Sequence, residues 1–129
     1  MKKVYLAGQP NKYEKDWKEG FKKLSGFEFY DWEFDSDQTS PDTFFPDDLH
    51  AVNNADILIA NPGIAPSEST WVEVGAFYMK NTQPGKFCDR IIIIWQEDRR
   101  PKWSIEFVKK VGKVVGSIEE AIKELALLK

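Results

Sequence analysis

Histidine and cysteine are nearly missing from this sequence, which has one of each, His50 and Cys88. So small an inventory excludes a Cys/His metal cluster, and a lone cysteine excludes an internal disulfide and fits a reducing compartment. A Ser-His-Asp or Cys-His nucleophile would have to use His50. That residue stands in Asp47-Asp48-Leu49-His50-Ala51-Val52, at an expected helix start, with nothing beside it that marks a catalytic base. Carboxylates are left to carry any chemistry, with no metal and no cofactor expected.

Long apolar runs are also lacking. Even Ile91-Ile92-Ile93-Ile94-Trp95 ends at Gln96-Glu97-Asp98, far short of the ~20 residues that cross a bilayer. The opening Met1-Lys2-Lys3-Val4-Tyr5-Leu6-Ala7 is cut by Gly8-Gln9-Pro10 before it reaches signal-peptide length, so a cytoplasmic protein is expected. There is no excess of positive charge, the net charge being −3. Without a basic patch, neither nucleic acid nor a membrane surface is an expected partner. Glycine-rich phosphate motifs are missing too: neither G-x-G-x-x-G nor G-x-x-x-x-G-K-[ST] occurs, which argues against dinucleotide and P-loop sites. A signal-receiver domain would need an acidic pair after the first strand, where Gly8-Gln9-Pro10 stands.

What is present is the composition of an ordinary folded domain, 129 residues with 42% hydrophobic and 30% charged side chains, read as one domain over residues 1–129. Three short, branched, apolar runs predict buried strands: Val4 to Ala7, Ile57 to Ala60 and Ile91 to Trp95. Phe27 to Tyr30 and Lys113 to Val115 are weaker candidates. Between them, Tyr13, Trp17, Phe21 and Leu24 recur at helical spacing, with Lys12, Lys15, Lys18, Lys22 and Lys23 pointing elsewhere. Ser69 to Lys80 predicts a second helix, packing through Val72, Ala76 and Met79, with Glu73 in its first turns. Ser117-Ile118-Glu119-Glu120 is a capping-box sequence opening a last helix with Ile118, Ala121, Ile122, Leu125 and Leu128 on one face. Asp31 to Asp47 reads as a long loop, either a binding loop or an unstructured one.

This alternation predicts an α/β domain with an open, mostly parallel sheet of about five strands and helices on both faces, of the Rossmann or flavodoxin-like kind. Ligands in such sheets bind beyond the carboxyl ends of the strands. The loops there are Gly8-Gln9-Pro10, Asp31-Trp32, Asn61-Pro62-Gly63 and Gln96-Glu97-Asp98.

Four stretches carry a resemblance. Lys3-Val4-Tyr5-Leu6-Ala7-Gly8, Ala55-Asp56-Ile57-Leu58-Ile59-Ala60, Pro66-Ser67 six residues ahead of a glutamate, and Glu73-Val74-Gly75-Ala76 resemble segments of the nucleoside 2-deoxyribosyltransferase-like family. That family includes nucleoside deoxyribosyltransferases and related deoxynucleotide N-glycosidases. The resemblance implies cleavage or transfer at the N-glycosidic bond of a (deoxy)nucleoside, through a covalent glycosyl-enzyme intermediate on Glu73. It implies Tyr5 touching that nucleophile, and a homo-oligomer that completes its site with a neighbouring subunit.

The chemistry is consistent with these residues. Breaking an N-glycosidic bond develops oxocarbenium character, which a carboxylate stabilises or traps, while a second acid protonates the leaving base. Asp56 or Asp31 is placed for the acid role, Gly8, Gln9 and Ser67 for polar contacts, and Trp32, Trp71 or Phe44 for stacking on the base. Two departures from the family pattern stand out. Ser69, Thr70 and Trp71 precede Glu73 where glycine-rich sequence is common, and no glycine/arginine cluster follows Gly8, which favours a nucleoside over a nucleotide. A non-catalytic nucleoside- or nucleotide-sensing domain of the same fold is the alternative.

Overall fold

A computed structural model describes residues 1–9, 17–63, 67–96 and 102–129. Five strands, β1 (Lys2–Gly8), β2 (Phe27–Asp31), β3 (Ile57–Asn61), β4 (Ile91–Ile94) and β5 (Lys113–Val115), form one sheet in the order β2-β1-β3-β4-β5. Every pairing is parallel, with Tyr5 opposite Tyr30 on one side and Leu58 on the other. The central strands are apolar on both faces because helices cover both. All of the residues of β3 and β4 are buried.

The helices are α1 (Glu19–Lys22), α2 (Trp32–Asp35), α3 (Pro41–Asn54), α4 (Glu68–Asn81), α5 (Lys102–Val111) and α6 (Ile118–Ala126). One face of the sheet presents Tyr5, Ala7, Leu58, Ala60, Ile91 and Ile93 to Val52 of α3, Val74 and Phe77 of α4 and Val108 of α5. The other presents Val4, Leu6, Ile57, Ile59, Ile92 and Ile94 to Trp17, Phe21, Ala121 and Leu125. The expected α/β sheet with helices on both faces is what the chain forms. The order of the strands reverses between β1 and β3, so their carboxyl ends part there and leave a crevice.

Local signals explain most boundaries. The Ser117 hydroxyl accepts from the Glu120 N–H, and the Glu120 carboxylate accepts from the Gly116 N–H, so the expected cap of α6 is in place. Gly8 has φ +149°, and a Cβ there would lie 2.3 Å from the Asn61 carbonyl oxygen. Only glycine lets β1 and β3 run side by side to that point.

Four expectations are corrected. The segment 31–47 is not one long loop: Asp31 caps α2 by accepting from the Glu33 N–H at 3.1 Å, and α3 begins at Pro41 with a reciprocal Ser40/Thr43 cap. Pro41 suits the first helical turn, where its missing N–H costs nothing. His50 therefore lies in the last turns of α3, exposed, rather than at a helix start.

In α4 the buried positions are Thr70, Glu73, Val74 and Phe77, while Val72, Ala76 and Met79 are exposed. Both sets repeat at helical spacing, and the hydrogen bond that draws Glu73 inward selects the first. Finally, Lys18 does not point to solvent but is fully buried. Tyr13, Lys12 and Lys15, assigned to the same helix, lie outside the described residues.

Candidate active site

The crevice at the β1–β3 divergence is a cleft of about 300 Å³ lined by Gly8, Gln9, Trp32, Gln38, Phe44, Asp48, Ser67, Glu68, Ser69, Thr70 and Glu73. A shallower apolar extension of about 180 Å³ shares Phe44, Asp48 and Glu73 and runs out between α3 and α4 past Phe45, Leu49 and Val72. The cleft thus joins an apolar wall to carboxylates from two helices.

Glu73 sits in the second turn of α4, 7% exposed, and accepts a hydrogen bond from the phenol of Tyr5. Tyr5 projects from the middle of β1 and is fully buried. Burial pushes the Glu73 carboxyl up to about 8, the Tyr5 hydrogen bond opposes that, and the negative charge of Asp48 adds to it. Burial and then the neighbouring Glu73 raise the Tyr5 phenol far above its ordinary range. It stays a donor at any working pH.

Asp48 faces the same cleft from α3. Burial first, and then the charge of Asp47, raise it to about 6, against the nearby Ser36 and Tyr30 hydroxyls, which favour its charged form. Its Oδ1 is buried without a hydrogen-bond partner among the described residues. Two carboxyl groups from separate helices thus titrate on either side of neutrality in one cleft, a pattern typical of acid–base chemistry.

Of the residues singled out in the sequence, Tyr5 and Glu73 are in contact, and Gly8, Gln9, Trp32 and Ser67 line the cleft with Glu73. Gln9 is fixed by donating from its side-chain amide to the Pro62 carbonyl at 2.7 Å. Trp32 lies over the ammonium of Lys18, 4.8 Å from the ring centre. Phe44, expected as a stacking residue, lines both parts of the cleft.

Three expected residues are elsewhere. Asp56 precedes β3, at the amino end of the sheet, where its Oδ2 accepts from the Lys3 N–H at 2.8 Å and its own N–H donates to the Lys3 carbonyl at 2.8 Å. β3 puts on the order of 15 Å between it and the cleft, at ~3.3 Å per residue. Asp56 cannot protonate a ligand beside Glu73; it ties β1 to β3.

Asp31 is buried in an ion cluster, its Oδ1 bonded to Lys18 at 2.7 Å and its Oδ2 to Lys22 at 2.7 Å. Burial opposes its charge, but the hydrogen bonds from both lysines prevail and hold it below the usual carboxylate range. Both oxygens are committed to the protein. Trp71 turns toward Trp95, with ring centres 6.5 Å apart, and packs on the core rather than lining the cleft. Pro66 lies outside the described residues.

Asp48, Gln38, Glu68, Ser69 and Thr70 were not anticipated as site residues. For Asp48 a signal exists: Phe44, Asp48 and Val52 follow at four-residue spacing, so an acid stands on the stripe that faces the sheet. Among the described residues, no group of three or more His, Cys, Asp or Glu side chains is placed to hold a metal ion, and no helix is long and apolar enough to cross a membrane.

No family model matches the sequence, and no curated relative does either. Solved structures do. The chain is similar to the Clostridium botulinum CMP N-glycosidase BcmB, at 23% identity and a TM-score of 0.67, covering 99% of this chain and 100% of that one. It is similar to BlsM, known from a solution structure, at 20% identity and a TM-score of 0.62, covering 95% of this chain and 86% of that one. The protein thus shares the fold of BcmB and BlsM over nearly its whole length.

Proposed function

We propose that the protein cleaves the N-glycosidic bond of a nucleoside or deoxynucleoside, with Glu73 as nucleophile and Asp48 as the acid that replaces Asp56 in that role. The observation that carries this reading is the buried Tyr5–Glu73 hydrogen bond at the carboxyl end of the sheet, opening on a cleft that Asp48 shares. The likeness to an N-glycosidase acting on CMP supports the same bond.

In the first step a Glu73 carboxylate oxygen bonds to the sugar anomeric carbon. The carbon–nitrogen bond breaks with its electron pair on the base, and Asp48 passes its proton to that base. In the second step Asp48, now a carboxylate, takes a proton from water. The hydroxide oxygen bonds to the anomeric carbon, and the ester bond to Glu73 breaks with its pair on the carboxylate. A second base in place of water gives transfer. Tyr5 donates to Glu73 and favours its charged form, the one that attacks; the reacting form is the one with the proton on Asp48, which also removes the Asp48 charge that helps raise Glu73. Trp32 and Phe44 offer aromatic faces to the leaving base.

Charged side chains among the described cleft residues are Asp48, Glu68 and Glu73, all acidic, which supports a nucleoside rather than a 5′-phosphorylated substrate. A homo-oligomer is part of the proposal. Phe45 and Val72 at the mouth of the cleft, and Met79 two turns further along α4, are exposed apolar side chains of the kind that partners cover.

Incubation with ribo- and deoxynucleosides and their 5′-monophosphates, with and without a second free base, tests this. Free base alone is hydrolysis and a new nucleoside is transfer, and Glu73→Ala abolishes either. Binding without turnover in the wild type would instead make the domain a sensor.

A further inference from the structure

We infer that Lys18 is a positioning residue: its buried ammonium fixes the indole of Trp32 as a preset wall of the cleft, against which the base stacks. The inference rests on the stacking role proposed above for Trp32.

Three consecutive residues address this one ammonium. Asp31 bonds it through Oδ1 at 2.7 Å and Glu33 through Oε1 at 2.5 Å. Between them in the chain, the Trp32 ring has its centre 4.8 Å from Nζ, within the range of a cation–π contact. The backbone of Trp32 is held as well, its carbonyl oxygen accepting from the Ser36 hydroxyl at 2.8 Å and from the Gln38 side-chain amide at 3.2 Å. Lys18 Nζ also lies 5.7 Å from the centre of the Trp17 ring, and the Trp17 indole N–H donates to the Gln9 carbonyl at 2.7 Å. Trp32 and Gln9 both line the cleft, so Lys18 backs two parts of its wall.

Stability does not explain this arrangement. A wholly buried ammonium is costly to desolvate, and apolar side chains of similar volume in place of a buried ion cluster are often as stable or more so. Trp32 is itself only half-buried, so anchoring it adds little to the core. What the cluster does supply is a ring held in one place before a ligand arrives, and a ring already fixed loses no freedom on binding. Lys22 provides the contrast. It bonds the other oxygen of Asp31 at 2.7 Å, but the ring it faces, at 5.0 Å, is that of Phe34, which does not line the cleft.

The test is a double-mutant cycle in the full chain: Lys18→Met, Trp32→Ala and the two combined, with kcat and KM for whichever ribo- or deoxynucleoside is cleaved fastest. A stacking wall serves ground state and transition state alike, so weakening it raises KM and spares kcat. Trp32→Ala should raise KM about tenfold or more and Lys18→Met about fivefold, with kcat within about twofold. In the Trp32→Ala background Lys18→Met should add nothing, because it acts through the ring. Lys22→Met should leave KM unchanged. A Lys18→Met effect of equal size in both backgrounds, or no rise in KM, overturns the inference. Should Lys18→Met fail to fold, Lys18→Met/Asp31→Asn takes its place, since it strands no buried charge at position 31 and still deprives the indole of its cation.

A second readout needs no substrate. In fluorotryptophan-labelled protein, Trp32 should give one dispersed fluorine resonance, assigned by its loss in Trp32→Ala. Lys18→Met, or the double variant, should bring it to the averaged position of a mobile, exposed indole. A resonance that keeps its dispersion overturns the inference whether or not nucleosides are cleaved. An averaged resonance in a protein that cleaves none leaves the positioning intact and refutes only the proposed reaction.

Discussion

The phenol of Tyr5 and the carboxylate of Glu73, 68 residues apart in the chain, meet in a buried hydrogen bond. A carboxyl group buried this far loses most of its hydration, so its charged form exists only as far as neighbours replace that hydration. Tyr5 is the neighbour that does so, and Asp48 opposes it.

Tyr5→Phe should therefore make Glu73 harder to ionise, raising it above about 8. Activity near pH 7 is expected to fall on the order of tenfold or more, and to recover part of that loss as pH rises toward 9. A pH–rate profile measures it. A loss of equal size at every pH would mean that Tyr5 acts through packing alone.

The same burial makes stability depend on pH. Glu73, at about 8 in the fold against an ordinary 4.5, binds its proton more tightly when folded. Between those values the folded state holds more protons than the unfolded one, so stability falls as pH rises through this window. Asp48, raised from 3.8 to about 6, acts in the same direction at lower pH. Glu73→Gln should leave Tm nearly unchanged at pH 5 and raise it by at least about 5 °C at pH 8 while abolishing turnover. Thermal unfolding of both proteins at the two pH values checks the sign.

The parts of the fold that the sequence revealed were those with one dominant period. Ile91–Ile94 and Ile57–Asn61 are buried on both faces, and uninterrupted branched residues say so. The Ser117 cap is local chemistry and was equally readable. The first half of α3 was hidden because Pro41 and Pro46 read as loop, although one occupies the first turn and the other is accommodated inside the helix, so a helix was expected only from about Asp47. Without Phe44 on the same helix, the four-residue stripe that marks Asp48 as facing the sheet could not be read. Asp56 failed for another reason: it precedes β3, which in a parallel sheet puts it at the amino end, away from the carboxyl ends where ligands bind, and its assignment followed the family resemblance instead. Lys18 was misplaced because lysine is nearly always exposed, and the acids that keep it inside lie 13 and 15 residues further along.

Lys18 bonds Asp31 at 2.7 Å and Glu33 at 2.5 Å with its side chain wholly buried. Removing one member of such a cluster strands the others without compensation. Lys18→Met is expected to cost about 3 kcal/mol, the lower end for a broken buried pair because Lys22 still holds Asp31. Urea unfolding measures it. A cost below about 1 kcal/mol would show that Lys22 alone satisfies Asp31.

The exposed stripe of α4 makes the proposed homo-oligomer testable. Val72 and Met79 are 54% and 60% exposed, unusual for apolar side chains on the helix that carries the proposed nucleophile. The wild type should sediment as an oligomer, and Met79→Glu should shift it to monomer by placing a charge in the contact. A wild type that sediments as a monomer at micromolar concentration refutes the proposal.

Asp48→Asn and Asp56→Asn separate the two acids most sharply. Asparagine at 56 can still accept from the Lys3 N–H through its carbonyl oxygen, so the tie between β1 and β3 survives at a cost of about 1 kcal/mol. With the cleft on the order of 15 Å away along β3, kcat should be unchanged. Asparagine at 48 keeps the shape of the side chain but carries no transferable acid proton, so kcat should fall by about a hundredfold or more, the usual contribution of a general acid. A substrate whose leaving group needs no protonation, such as a nitrophenyl glycoside, should be cleaved by Asp48→Asn nearly as fast as by the wild type. The opposite pattern, with Asp56→Asn inactive and Asp48→Asn active, would mean that the cleft between α3 and α4 is not where the bond breaks.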